Sequence, residues 1–368
     1  MIGAPISPQS LVRIPLGPKR PDVLDHTPAE LAELAVALGQ PAFRGAQIAR
    51  WLYRRFATGV DQMTDLPAGF REQLRKQARI GGAVVQDAVR SPDGDTEKVL
   101  LKNRDGASIE TVLMRQPAGS GAFRNTLCLS SQVGCAVGCP FCATGQSGWF
   151  RNLSAGEIVE QVLYWARVLD QRGERVHNLV YMGMGEPLGN YANVWKSIRI
   201  LNDHDGFGLG ARHMTLSTSG IAPRIERMAD EGIQVNLAVS LHAAENSLRD
   251  ELVPINKRYP LEQLMDACRL YLDRTNRRIT FEYVLLRDVN DARPQALQLA
   301  NLVKGMLCHV NLIPLNPEPS SRYSPPTSES IDAFADVLRY QGLPVTVRRE
   351  RGQEIAAACG QLYRSSKT

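Results

Sequence analysis

Six strand-like segments alternate with helical patterns between residues 124 and 315, and this alternation constrains the fold more than any other feature. The strand-like segments are rich in branched apolar residues and span 124–130, 177–183, 213–219, 235–241, 279–286 and 309–315. Consecutive βα units of this kind form parallel sheets covered by helices. Eight units close the common barrel, so six predict an α/β fold with an open, partial (β/α)6 barrel. The segment 345–351 (VTVRRER) is expected to add a strand at one edge.

Three cysteines follow the first strand of this barrel. Cys135, Cys139 and Cys142 have the spacing C-x3-C-x2-C on one short loop. Three thiolates can hold three corners of a [4Fe–4S] cube and leave the fourth iron open, whereas electron-transfer ferredoxins ligate all four irons with cysteine. Two other readings remain: a zinc site with Cys128 as fourth ligand, and plain core or redox thiols.

Polar residues follow several other strands. They include a Gly-Met-Gly-Glu-Pro turn at 183–187, Ser217, the Ser240–His242 segment and Asn316. A parallel barrel places its active site at the carboxyl ends of its strands, so these groups are expected to share one rim with the cysteine loop. Two of these groups also have a plainer interpretation when taken singly. His242 can be a structural histidine, and the glycine-rich turn can be a tight connection between a strand and a helix. Leu188 stands where the dinucleotide-binding fingerprint needs a third glycine, which excludes that motif.

Residues 1–81 predict a small all-α module. Thr27 to Glu30 has the form of a capping box with Pro28 at the first helical position. Two further helices are expected to begin at Pro41 and at Pro67. The helix that begins at Pro41 interleaves arginines with Trp51 and Phe56. Such a surface can hold phosphates and stack on bases. The alternative is that the aromatic rings form the core of the module and the arginines its solvated face.

Residues 82–122 alternate apolar and polar side chains around turn signals at 92–94 and 105–106. This pattern predicts two or three strands in hairpins. We therefore expect four segments: the helical module (1–81), a β-rich connector that carries Glu110 (82–122), the partial barrel (123–343), and a C-terminal strand and loop (344–368).

Composition and charge narrow the class of protein. The chain of 368 residues has a net charge of +5, with 12 Lys and Arg against 8 Asp and Glu in residues 1–90 and 5 against 2 in residues 341–368. Basic ends beside a near-neutral middle fit a bound polyanion, although ordinary surface charge gives the same count. The N-terminal residues lack the apolar core of a signal peptide, no apolar run is long enough for a membrane span, and seven cysteines favour a reducing cytoplasm.

Longer motifs carry a resemblance to a known family. The stretch from Thr126 to Cys142, together with GMGEPLGN, LSTSG, SLHA, VPINKRYP, NLIPLNP and AAACGQL, resembles the RlmN/Cfr family of radical S-adenosylmethionine (SAM) enzymes that methylate RNA adenosine. The resemblance extends over essentially the whole chain and is strongest to the RlmN type. It implies methylation of C2 of an adenosine in 23S rRNA (adenosine 2503 type), with adenosine 37 of tRNA as a second candidate.

The resemblance also implies a mechanism with a [4Fe–4S] cluster and two molecules of SAM per methyl transferred. One SAM methylates a cysteine, and the second yields a radical that takes a hydrogen from that methyl group. The carbon radical then adds to C2, which is too electron-poor to attack SAM itself. By motif match, Cys359 is the methyl carrier, Cys128 resolves the RNA adduct by forming a disulfide, and Glu110 accepts the C2 proton.

For SAM binding, the resemblance assigns the residues of the rim: Gly185, Glu186, Ser217, Ser240, Leu241, His242 and Asn316. Cys268 and Cys308 match no motif and are expected to pack in the core. The implied partners are 23S rRNA, tRNA as a second candidate, and an electron donor such as flavodoxin, with the chain acting as a monomer. The alternatives are Cfr-type methylation of C8 on the same rRNA adenosine, and a non-catalytic RNA-binding or zinc-structured protein.

Overall fold

The structure is a computed structural model that describes residues 20–118, 122–316, 322–348, 352–358 and 360–362. Three helices form its N-terminal module: α1 (Pro28–Ala37), α2 (Phe43–Tyr53) and α3 (Ala68–Gln77). The capping box of α1 is confirmed, because Thr27 Oγ1 accepts the Glu30 N–H at 3.2 Å and the Glu30 carboxylate accepts the Thr27 N–H at 2.8 Å. Gly45 lets α1 and α2 cross closely, since a Cβ there would lie 2.3 Å from the backbone of Ala32.

The aromatic side chains of α2 and its C-terminal turn contribute to packing. Trp51 lies partly buried against the core and donates its indole N–H to Asp65 at 2.6 Å. The guanidinium of Arg55 lies over the Trp51 ring, 4.4 Å from its centroid. Phe56 contacts Phe207 of the barrel with ring centroids 6.2 Å apart. This geometry favours the packing interpretation for both rings. The arginines of the module differ in exposure: Arg50, Arg54, Arg55 and Arg75 are exposed, whereas Arg44, Arg71 and Arg79 are half-buried.

Twelve strands make up the described sheets. In chain order they are β1 (Val84–Arg90), β2 (Thr96–Lys102), β3 (Ser108–Pro117), β4 (Phe123–Cys128), β5 (Gln132–Gly134), β6 (Trp149–Asn152), β7 (Asn178–Tyr181), β8 (Met214–Thr218), β9 (Asn236–Ser240), β10 (Ile279–Leu285), β11 (Cys308–Pro314) and β12 (Val345–Val347). Ten of them form one sheet in the order β1-β2-β3-β4-β7-β8-β9-β10-β11-β12, and β5 pairs with β6 in a separate hairpin.

The partial barrel is confirmed. Strands β4, β7, β8, β9, β10 and β11 pair in parallel, each with its neighbour in that order. Strand β12 adds in parallel beside β11, as expected for the segment after residue 344. The sheet ends at β1 and β12, which do not pair with each other, so the barrel stays open among the described residues.

The connector forms three antiparallel strands, at the upper end of the predicted number. Strand β1 pairs with β2, β2 with β3, and β3 with β4. The connector therefore continues the barrel sheet, which brings β2 and β3 next to the first barrel strand. The boundaries of the four segments remain a prediction.

Helices cover the outer face of the sheet. They are α5 (Ala155–Asp170), α6 (Tyr191–Asn202), α7 (Ala222–Ala229), α9 (Leu261–Thr275), α10 (Arg293–Leu302) and α11 (Ser328–Tyr340). The core lies between these helices and the sheet; Trp165 of α5 is buried there and donates its indole N–H to Thr111 at 3.2 Å. The shorter helices α4 (Ala143–Gln146) and α8 (Asn246–Leu252) lie at the carboxyl ends of the strands.

None of the helices in the described part of the chain is long and apolar enough to cross a membrane.

Candidate active site

The β5–β6 hairpin fixes the start of the cysteine loop. The N–H of Cys135 donates to the carbonyl of Gly148 at 2.9 Å. Gly134 has a φ of +74°, and a Cβ there would lie 1.9 Å from that same carbonyl oxygen, so only glycine fits. This hairpin was not predicted, because strands of three and four residues give little periodic signal.

The three loop thiols lie close enough to influence one another. Burial, together with the negative charges of Glu186 and Cys142, raises the pKa of Cys135 to about 12. Burial also raises the pKa of Cys139, and the other two loop cysteines add to that effect. Buried thiols of this kind become thiolates when a metal centre supplies positive charge. The loop residues therefore fit three irons of a cluster.

The described residues give no support to a single-ion zinc site. They contain no group of three histidine, cysteine or acidic side chains drawn together around one metal position. In a [4Fe–4S] cube each cysteine binds a different iron, so its thiols are spread more widely than the ligands of one tetrahedral zinc.

A cavity at the carboxyl ends of the strands, here called the rim cavity, contacts all three cysteines. Its other walls come from five strand ends and from the tail. The lining residues used below are Cys135, Cys139, Cys142, Gly185, Glu186, Ser217, Ser240, His242, Glu282, Asn316, Arg348 and Gly360. The structure thus brings the cysteine loop and six of the seven expected SAM-binding residues together. Those assignments remain predictions.

Glu186 is one of the two glutamates that line the rim cavity, beside Glu282, and it is held rigidly. One carboxylate oxygen accepts both the N–H and the hydroxyl of Ser219, each at 2.7 Å. The other accepts the N–H of Leu188 at 2.9 Å. Burial raises its pKa, and these hydrogen bonds act in the opposite direction. A buried, fixed carboxylate suits a cationic ligand group such as the ammonium of SAM. Gly185 beside it has a φ of +101°.

Ser217, Ser240 and His242 supply neutral polar groups. The two serine hydroxyls lie 3.5 Å apart on neighbouring strands. His242 Nδ1 accepts the backbone N–H of Val284 at 3.1 Å, which leaves the ring proton on Nε2. Burial, together with the charge of Arg249, lowers the pKa of His242 to about 3, so the ring is neutral at ordinary pH. These groups can hydrogen-bond a ligand without adding charge.

Leu241 is the one expected SAM residue that does not line the rim cavity. Its side chain is fully buried in the core. Its backbone instead helps to join the ends of β9 and β10, because the Leu241 N–H donates to the carbonyl of Glu282 at 2.9 Å.

Arg249 of α8 is a site residue that the sequence analysis missed. Its guanidinium is fully buried and donates to the carbonyls of Leu241 (3.0 Å), Ser219 (2.7 Å) and Ser240 (3.2 Å). It also donates to Asn256 Oδ1 at 2.8 Å. Burial lowers its pKa to about 10, so it stays charged at neutral pH. One cation therefore ties together the ends of β8 and β9 that carry the rim serines.

A second cavity, the lumen cavity, lies inside the barrel and shares six lining residues with the rim cavity: Met182, Glu282, Ile313, Pro314, Asn316 and Arg348. Cys128 lines the lumen cavity, as do Ala357 and Ala358 of the tail. Glu282 is buried here and accepts the Asn311 amide at 2.7 Å. Its pKa is raised by burial, with Arg348 acting against that effect.

Glu110 lies on β3 and is buried, close to the tail. Lys98 of β2 forms an ion pair with its carboxylate at 2.9 Å. Cys359 lies outside the described residues. Its neighbours are placed on both sides: Ala358 borders the lumen cavity, while the Gly360 carbonyl accepts the N–H of Ala143 at 2.8 Å, just after the cysteine loop.

No disulfide joins two of the cysteines that the structure describes, which are Cys128, the three loop cysteines, Cys268 and Cys308. The structure thus does not support a disulfide among them, and the expected Cys128–Cys359 pair involves a residue outside the described part. Cys268 and Cys308 are buried, in line with the packing role expected for them.

Comparison with known proteins agrees with this geometry. The family profile described as "Radical SAM superfamily" matches residues 129–300. The profile described as "Ribosomal RNA large subunit methyltransferase N-terminal domain" matches residues 21–80. The crystal structure of a radical SAM methyltransferase from Sphaerobacter thermophilus superposes with a TM-score of 0.90 at 49% identity, covering 93% of this chain and 99% of that one. Fold and site thus define a radical SAM enzyme.

Its relatives specify the family. A protein of Moorella thermoacetica named "Probable dual-specificity RNA methyltransferase RlmN" is 51% identical over 95% of this chain and 98% of its own length. A protein of Geobacillus kaustophilus with the same name is 48% identical over 94% and 93%. The chain belongs to the RlmN family of radical SAM methyltransferases. Membership implies a [4Fe–4S] cluster and SAM, which the three loop thiols and the fixed Glu186 carboxylate fit.

Proposed function

We propose that this enzyme methylates C2 of an adenosine in 23S rRNA, of the adenosine 2503 type, with adenosine 37 of tRNA as a second candidate substrate. The names of its relatives support an RNA substrate and two kinds of target. The observation that carries the proposal is the close placement of the two cavities. Cys128 and the residues before Cys359 line the lumen cavity, which shares six lining residues with the rim cavity beside the cysteine loop.

In the proposed reaction, Cys135, Cys139 and Cys142 hold three irons of the cluster. When bound, the cluster supplies the electron that cleaves one SAM, and a second SAM supplies the methyl group. Glu186 receives the ammonium end of SAM, while the rim serines, His242 and Asn316 orient its remaining polar groups. Gly185 and the backbone of Leu241 shape the same wall.

The remaining roles fall on residues around the lumen cavity. Cys359 carries the methyl group, since a thiolate attacks the methyl of SAM readily. Cys128 then attacks the Cys359 sulfur of the protein–RNA adduct. The sulfur–carbon bond breaks, its electron pair stays with the carbon, and that carbon takes up a proton to become the methyl group of the released RNA, while the two sulfurs stay joined in a disulfide. Glu110 accepts the proton that leaves C2 of the adenine, in the manner of a general base.

We further propose that the enzyme acts as a cytoplasmic monomer with a one-electron donor such as flavodoxin. An odd number of cysteines, seven, suits a reducing compartment better than a disulfide framework. The helical module 1–81 and the basic C-terminal residues are proposed to hold the RNA.

The first test is peptide mass spectrometry on Cys359 in anaerobic protein that carries a full complement of iron and sulfide. Incubation with SAM is expected to add one methyl group to Cys359, and Cys359→Ala is expected to keep its iron and lose all transfer to RNA. Cys268→Ala is the matched control, because this thiol is buried in α9 away from both cavities. An unmethylated Cys359 in protein that still cleaves SAM would refute the methyl-carrier role.

A second test concerns Cys128. We expect Cys128→Ala to accumulate a covalent protein–RNA adduct, visible as a retarded band that survives denaturation. Normal release of methylated RNA by this variant would remove Cys128 from the resolving role. Nucleoside mass spectrometry of the wild-type product distinguishes C2 from C8, and an 8-methyl product would favour the Cfr-type alternative.

A further inference from the structure

Lys98 on β2 joins two parts of the molecule that are far apart in sequence. Its Nζ donates to the Glu110 carboxylate at 2.9 Å and to the carbonyl of Ala356 at 3.0 Å. The lysine side chain is only 13% exposed and that of Glu110 6%. A largely desolvated ammonium between a carboxylate and a carbonyl forms strong, charge-assisted hydrogen bonds. One side chain therefore sets the separation between Glu110 and the tail.

The tail takes a strained path at this contact. Ala356 has a φ of +49°, in the left-handed region that a residue with a Cβ rarely adopts. Such a conformation persists where surrounding contacts over-determine it. Besides Lys98 on the Ala356 carbonyl, the next N–H, that of Ala357, donates to the Gly352 carbonyl at 2.8 Å. The strain indicates that the direction of this carbonyl is imposed by its partners.

A second contact between β2 and the tail lies two residues away along the strand. Gly352 has a φ of +70°, and a Cβ there would lie 2.8 Å from the methyl group of Thr96. Thr96 and Lys98 point to the same side of β2, because side chains two apart on a strand share a face. This face of β2 therefore holds residues 352–358 directly before Cys359.

We propose that Lys98 is a positioning residue of the methyl-transfer reaction, which holds the Glu110 carboxylate and the tail before Cys359 in one fixed arrangement. The inference rests on the proposed function, since it assumes that Glu110 and the tail act on the same substrate. The placement of Glu110 and the docking of the tail then both depend on the Lys98 ammonium, which contacts each of them.

The test compares Lys98→Met, Lys98→Arg and Lys102→Met with wild type. Methionine keeps the apolar stem and removes the ammonium, whereas arginine can still donate to both partners. Lys102 lies on the same strand but is exposed, so it is the matched control. Three quantities are measured on protein with full iron content: methylation of Cys359, single-turnover methyl transfer to RNA, and deuterium exchange in residues 352–358.

Lys98→Met is expected to raise exchange in residues 352–358 and to slow transfer to RNA by about tenfold to a hundredfold, the scale of small misplacements in an active site. RNA affinity should stay within about twofold of wild type, because the lysine is nearly buried. Lys98→Arg should restore most of the rate, and Lys102→Met should match wild type.

Transfer at the wild-type rate by Lys98→Met would overturn the proposal, even if exchange in the tail increased. Equal slowing in Lys98→Met and Lys98→Arg with unchanged exchange would also overturn it, because the tail would then not depend on the ammonium. If wild type itself carries no methyl on Cys359, the proposed function fails instead. Exchange in residues 352–358 then still decides whether Lys98 holds the tail, and unchanged exchange refutes the contact.

Discussion

Replacing Arg249 by methionine should damage both the stability of the barrel rim and the binding of SAM. The guanidinium lies inside the protein and donates to three backbone carbonyls and one side-chain amide. Methionine fills a similar volume with a flexible apolar chain, so the substitution removes the donors while disturbing the packing little. The carbonyls of Ser219, Ser240 and Leu241 would lose this donor.

The expected loss of stability follows from the hydrogen-bond acceptors that would lose Arg249. A buried acceptor left without its donor costs about 1–3 kcal/mol. The Leu241 carbonyl keeps a donor, because it also accepts the Ala243 N–H at 2.8 Å. Taking the low end for the Ser219 and Ser240 carbonyls and for Asn256 Oδ1 gives about 3 kcal/mol of lost stability, and the removal of a desolvated cation contributes with the opposite sign. We therefore expect a net loss of about 2–3 kcal/mol. Because Ser217 and Ser240 share the strand ends that Arg249 ties together, the dissociation constant for SAM should rise by at least tenfold.

The assay is anaerobic urea unfolding followed by tryptophan fluorescence, with SAM affinity measured by calorimetry on the same preparations. Arg269→Met is the matched control, because Arg269 lies exposed on α9 and pairs with Asp266 one helical turn away at 3.0 Å. Such surface pairs contribute about 0.5 kcal/mol or less. An Arg249→Met protein as stable as the Arg269→Met control, with wild-type affinity for SAM, would refute the reasoning.

Three further perturbations test other parts of the site. Glu186→Gln should weaken SAM binding by about tenfold to a hundredfold in calorimetry, because hydrogen bonds to charged partners contribute about 1.5–3 kcal/mol; unchanged affinity would exclude the ammonium contact. The pKa of His242 is about 3 in the folded protein, against an ordinary value of 6.5. The neutral ring therefore contributes its full stability above pH 6.5, and this contribution is lost as the pH falls from 6.5 towards 3. The stability of wild type relative to His242→Gln should thus fall by up to about 1.4 kcal/mol per pH unit below pH 6.5, measured as urea midpoints, and parallel curves for the two proteins would contradict it. Gly352→Ala should raise deuterium exchange of the tail, because the new Cβ would collide with Thr96. Gly305→Ala is the control: Gly305 also has a positive φ, but a Cβ there meets nothing within 4 Å, so exchange of the tail should not change. Equal exchange in both variants would argue against the contact between Gly352 and Thr96.

The fold was predictable from sequence because the barrel strands are continuous apolar runs with clear boundaries. Burial on both faces requires such runs in a parallel sheet, and capping residues such as Ser154 mark the helices between them. The hairpin β5–β6 escaped prediction for the opposite reason. Its strands are short, and its geometry depends on Gly134 passing directly over the Gly148 carbonyl, a contact that no local pattern reveals.

Site residues were predictable where chemistry is concentrated in a motif, and not where a charge acts through distant contacts. The cysteine loop and Glu186 stand directly after strand ends, so topology alone places them on the rim. Arg249 and Lys98 stand among other charged residues in ordinary helix and strand sequences. Such residues usually face solvent, and only the tertiary structure shows that these two are buried against backbone carbonyls.

The distribution of buried charge links cofactor binding to the stability of the rim. The buried Glu186 carboxylate accepts hydrogen bonds from Ser219, Thr218 and Leu188, and none of these described partners is a basic side chain. Cys135 and Cys139 have pKa values raised by burial and by neighbouring negative charge. A cationic ligand group would offset the free-energy cost of burying the Glu186 carboxylate, and iron would offset the cost of ionising the two thiols. A group that binds only the folded state stabilises that state by mass action. The rim is therefore expected to be the part of the barrel that gains most order when cluster and SAM bind, while the opposite ends of the strands need neither.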